Sequence, residues 1–238
     1  MNIKNLILSA TLLATATISA TEVSAQEYED ATTAKVNSSI TFLVDDNPDN
    51  PVDPNDPDNP VIPDDPNDPN INGGELMITY ASNLNFGDQE KSGTSWNALA
   101  DTVNGGTAIT PFVGTKDSRG TDRKGWVLTA KQDDSFKDAE GNELSGAELT
   151  FNNLFYADKE GAPEVAPGEV TLNSAPQDIA TANSIQGVGS WSVGLGNLEE
   201  DGTTNGVTLS VPATTAKNTG SYTTTVTWEL TADPGVAD

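Results

Sequence analysis

From Tyr222 to Leu230 the chain reads Tyr-Thr-Thr-Thr-Val-Thr-Trp-Glu-Leu, with every even position except Thr224 apolar and every odd position polar. A period of two puts all the apolar side chains on one face of a strand, where a helix would scatter them. The same alternation recurs at Leu76, Ile78 and Tyr80, at Ala147, Leu149 and Phe151, at Trp191, Val193 and Leu195, and at Val207, Leu209 and Val211. Gly, Asn, Ser and Thr fill the spaces between. Short alternating runs punctuated by turn residues predict an all-β chain, a single β-sandwich or barrel-like domain. A helix is expected only over Trp96 to Ala100, and the Gly-rich stretches 104–106, 161–168 and 187–206 read as loops.

The first strand is expected at Ala34–Val44, where Val36, Ile40, Phe42 and Val44 hold even positions. One strand cannot bury its apolar face alone. It is therefore expected to pair with the sheet formed downstream, the alternatives being a leader or a strand donated to a partner. Between it and the rest lies Asp45–Asn70, with Pro at every third position from 48 to 69, nine Asp and no basic residue. Polyproline II also has three residues per turn, so these 26 residues predict a stiff acidic rod of ~80 Å, an excursion after the first strand. A solvated spacer is the expectation, rather than a calcium loop, because no Gly-turned loop with a closing Glu is present. Residues 1–25 carry an apolar stretch ending in Val23-Ser-Ala25, which reads as a signal peptide cleaved before Gln26. The expected organisation is a signal peptide at 1–25, a strand segment at 26–44, a spacer at 45–72 and the main domain at 73–238.

With 36 acidic and 11 basic residues the net charge is −25, which repels nucleic acid and anionic membrane surfaces. No His and no Cys exist to build Ser-His-Asp or Cys-His nucleophiles, ordinary zinc sites or disulfides. No cofactor and no metal are expected. A carboxylate pair of the glycosidase kind stays open, with Glu143 and Glu148 the candidates, but no motif supports it. The C-terminal residues show neither the apolar helix nor the basic tail of a sorting signal, so the exported protein is expected either to diffuse away or to be retained by non-covalent contact.

Two Trp-x-Leu tripeptides carry the functional information: Trp126-Val-Leu128 within Lys124–Ala130, and Trp228-Glu-Leu230 within Tyr222–Pro234. Their layout resembles the WxL domain of Gram-positive surface proteins. The acidic Pro tract, Leu76–Tyr80 with Leu84–Gly87, Asp117–Gly120, Gly141–Leu149 and Val207–Pro212 fit the same pattern. The resemblance implies non-covalent attachment to peptidoglycan or an associated wall polymer. It also implies assembly with other WxL proteins and a membrane-anchored WxL-interacting protein.

In a strand, Trp126 and Leu128 share a face, as do Trp228 and Leu230. Each pair reads either as an exposed indole platform for sugar rings or as core. A third arrangement puts the two motifs on neighbouring strands that shape a groove. Lys116, Arg119, Arg123 and Lys124 place four of the chain's basic residues just before Trp126. They read either as contacts for an anionic wall polymer or as partners of the abundant carboxylates.

Overall fold

The computed structural model describes residues 27–28, 30–36, 38–64 and 70–232. The expected signal peptide and its cleavage point lie outside the described residues. The chain divides into two units, 1–43 and 44–238.

In the first unit, β1 (Glu27–Tyr28) pairs antiparallel with β2 (Ala34–Lys35). Asp30 accepts the Thr32 N–H between them at 2.7 Å. The strand expected over Ala34–Val44 forms only in its first two residues. Residues 38–44 hold no strand, and Ile40 and Phe42 are 76% and 84% exposed. Alternation gives this run the capacity to be a strand, but a strand persists only where a ladder partner binds its backbone.

The second unit begins with β3 (Val52–Asp53), β4 (Asp56–Pro60), β5 (Leu76–Ala81), β6 (Ser95–Leu99), β7 (Asp101–Val103), β8 (Thr107–Ile109) and β9 (Phe112–Asp117). It continues with β10 (Gly125–Gln132), β11 (Glu148–Phe151), β12 (Leu154–Phe155), β13 (Glu164–Val165) and β14 (Val170–Thr171). The last strands are β15 (Gln177–Asn183), β16 (Gly189–Leu195), β17 (Thr203–Ser210) and β18 (Val226–Ala232). Three four-stranded antiparallel sheets result, ordered β13-β15-β10-β18, β14-β11-β17-β6 and β12-β16-β9-β5. No helix occurs among the described residues, so the fold is all-β as the alternation requires. The expected helix at Trp96–Ala100 is β6, held by its ladder to β17 through Trp96↔Leu209 and Asn97↔Thr208.

One core unites the three sheets. Trp126, Leu128 and Ala130 of β10 meet Leu149 and Phe151 of β11, Val207 of β17 and Val193 and Leu195 of β16. A smaller cluster of Val61, Tyr80, Val103, Ile109 and Phe112 lies beside it.

The acidic tract is not a free rod. It doubles back as the β3–β4 hairpin, and Val52, Val61 and Pro51 are buried. Val52, Val61 and three prolines supply the burial, and lysines and backbone N–H groups answer part of its charge. Lys159 donates to Asp56 and Asp58 at 2.7 and 2.8 Å, while Asp64 takes the N–H groups of Gly105 and Gly106 at 2.8 and 2.7 Å. No group of three carboxylates able to hold a metal ion occurs among the described residues.

Candidate functional site

The two Trp-x-Leu motifs lie on adjacent antiparallel strands. In the β10–β18 ladder Trp126 faces Ala232, Leu128 faces Leu230 and Ala130 faces Trp228. Directly opposed residues project to one side of a sheet, so both motifs aim at the same core. Trp126 and Leu128 are fully buried, Leu230 is half-buried, and Trp228 stacks on the buried Phe151 with centroids 5.5 Å apart and planes 8° from parallel.

Two glycines make room around this strand, one of them directly against the Trp126 indole. A Cβ on Gly125, at φ +116°, would collide with the Ala182 carbonyl. One on Gly187, at φ +66°, would meet Trp126 Nε1 at 2.8 Å. Both positions need the left-handed backbone and the missing side chain. Packed this way, the Trp126 indole N–H is buried without a partner, and its ring offers nothing to solvent. The middle residues of the motifs, Val127 and Glu229, point to the opposite face beside Thr129, Lys131 and Thr231.

The basic cluster does not form one patch. Lys116 is 3% exposed, and its ammonium donates to Asp45 at 2.9 Å and to the Asn47 carbonyl at 3.0 Å, and pairs with Asp49 at 2.7 Å. Burial on its own would lower the Lys116 pKa, yet the hydrogen bonds to Asp49 and Asp45 raise it above the ordinary 10.5. Arg119 grips the buried Asp117 with two bonds of 2.9 Å and donates to the Gly125 carbonyl at 2.8 Å, tying the end of β9 to the start of β10. Of the four basic residues, Lys116 and Arg119 therefore follow the second reading and serve internal pairs, which an acidic chain supplies in abundance. Arg123 is half-buried and Lys124 is exposed. Glu143 and Glu148, the carboxylates considered for hydrolysis, are exposed side chains.

Sequence reasoning missed a cleft of about 1030 Å³ that opens between β6 and β18, edge strands of two different sheets. Trp96, Trp228, Tyr222 and Phe86 line it as half-buried rings over a floor that includes Leu149 and Leu209. Its walls are fixed. Asn85 accepts the Leu99 N–H at 2.7 Å, and the loop after it turns at Gly87. Across the opening, Tyr222 Oη accepts the Asn218 N–H at 2.8 Å, and Asn218 Nδ2 donates to Asp138 at 2.9 Å. Asp138 also accepts the Asn142 N–H at 2.7 Å, and these bonds hold its carboxyl below the usual carboxylate range. Lys217 Nζ stands 6.0 Å from the Trp96 ring centroid, within cation–π reach. The signal for this site was Trp96 itself, a tryptophan after a Gly-Thr-Ser turn and outside either motif.

No curated protein and no solved structure matches the chain. A family model described as WxL domain, surface cell wall-binding, matches residues 29–234. The strands that the two motifs build, and nearly everything packed around them, fall inside that span, and the chain belongs to the WxL domain family of surface cell wall-binding proteins.

Proposed function

We propose that this protein is a non-enzymatic, exported subunit of a Gram-positive cell surface, which attaches non-covalently to peptidoglycan and assembles there with other surface proteins. The observation that carries this reading is the family match over residues 29–234. The buried motifs accord with it: Trp126, Leu128 and Leu230 build the domain, and the surface they organise makes the contact. Incubating the purified protein with protein-free sacculi, then eluting in graded salt, tests it. Retention is expected; a protein left wholly in the supernatant sinks the reading.

A second reading, docking mainly onto a membrane-anchored WxL-interacting protein, draws on the exposed apolar residues Val36, Ile40, Phe42 and Leu43. Three of them hold even positions, residues 36–43 carry no charge, and an extended segment of that kind can add to a partner's sheet edge. Capture by such a partner, lost on replacing Ile40 and Phe42 with Ser while sacculus retention persists, supports that reading.

A further inference from the structure

We propose that the cleft between β6 and β18 holds the glycan strand of the wall, a chain of N-acetylated hexosamines, rather than its peptide stems. The proposal rests on the attachment reading above and names the surface that would carry it. Four half-buried aromatic rings meet in this one opening, whereas the other two tryptophans, Trp126 and Trp191, are buried. Aromatic rings left part-exposed over an apolar floor match the C–H faces of sugar rings, and an indole N–H can donate to a sugar oxygen. The volume of about 1030 Å³ lies at the upper end for ligand clefts, room for an oligosaccharide of several rings.

Charge points the same way. Asp88 and Glu90 on the lining are balanced by Lys91 and Lys217, in a chain whose net charge is −25. This local neutrality suits a mainly uncharged polyol with acetamido groups. A peptide stem would seek the backbone of a strand edge, whereas β6 contributes only Trp96 to the lining and β18 only Val226 and Trp228. The walls are also fixed before any ligand arrives, which lowers the ordering cost of binding.

The test titrates the full protein with a soluble β-1,4-linked N-acetylglucosamine tetramer by calorimetry, and uses the same tetramer and a free stem peptide as competitors in sacculus retention. Ser221→Phe adds a ring at an exposed position on the lining and leaves the core alone; Trp96→Ala removes a ring. The tetramer is expected to bind and to displace the protein from sacculi. Ser221→Phe should weaken both at least tenfold with its thermal midpoint unchanged, and Trp96→Ala should weaken both if it stays folded. Undiminished tetramer binding by Ser221→Phe overturns the proposal, and so does displacement by the stem peptide alone. Should the wild type fail to stay on sacculi, the attachment reading falls, while the calorimetric titration still decides whether the cleft takes this glycan.

Discussion

Leu128 and Leu230, the leucines of the two Trp-x-Leu motifs, face each other across the β10–β18 ladder and fill one core. Two tripeptides a hundred residues apart are thus one packing unit. Leu128→Ala leaves a cavity at a fully buried site and should cost about 2–5 kcal/mol. Leu230→Ala, at a half-buried site, should cost less. Denaturant unfolding of the two single variants and the double variant should show a coupling of about 0.5–3 kcal/mol, because the side chains touch a shared volume. Strict additivity contradicts the pairing.

Arg119→Ala should lower stability rather than merely weaken a surface contact. It strands Asp117, 1% exposed, without its bidentate partner, a loss of about 3 kcal/mol. A thermal midpoint equal to that of the wild type would show that Arg119 is a solvated surface charge after all.

Gly187→Ala places a methyl group against Trp126 Nε1 and Ala182 Cβ, each 2.8 Å away, on a backbone at φ +66°. Left-handed strain alone costs about 1–3 kcal/mol at such a position. The expected result is a lower midpoint together with a changed near-ultraviolet dichroism of the Trp126 environment. An unaltered spectrum counts against the tight contact.

Two pH limits follow from the ion pairs and carboxylate bonds. Asp138 has its pKa lowered by hydrogen bonds, chiefly from Asn218, so its contribution is present above the unfolded value near ~4 and fades as pH falls through the lower folded value. Asn218→Ala should flatten the acid limb of the midpoint-against-pH curve. Lys116 has its pKa raised, so its contribution is complete below 10.5 and is lost as pH climbs through the higher folded value. Proteolysis around Asp45–Asp49 should accelerate only in that alkaline range, and Lys116→Met should be susceptible at every pH. Lys159, with a side chain 39% exposed, is screened by water, and Lys159→Ala should leave the thermal midpoint nearly unchanged.

How far the sequence could be read depended on whether a property was local. The alternation at Leu149–Phe151, Val207–Val211 and Val226–Leu230 was enough to name strands, because period two is written in neighbouring residues. The same pattern at Val36–Val44 misled, since no composition states whether a ladder partner exists. Proline at every third position described the Asp45–Asn70 tract as a rod. Val52, Val61 and the distant Lys116 and Lys159 fold much of it back, and those contacts span many positions.

By itself the sequence determined an all-β chain, a heavy negative charge, the absence of thiol and imidazole chemistry, and two tryptophan–leucine pairs each on one strand face. Only the tertiary structure decided that those pairs oppose each other in the core, that Lys116 and Arg119 serve internal carboxylates, and that Trp96 and Trp228 share a cleft. Strand order and burial arise from contacts between residues far apart in the chain, where register and packing select one partner among many that the local pattern allows.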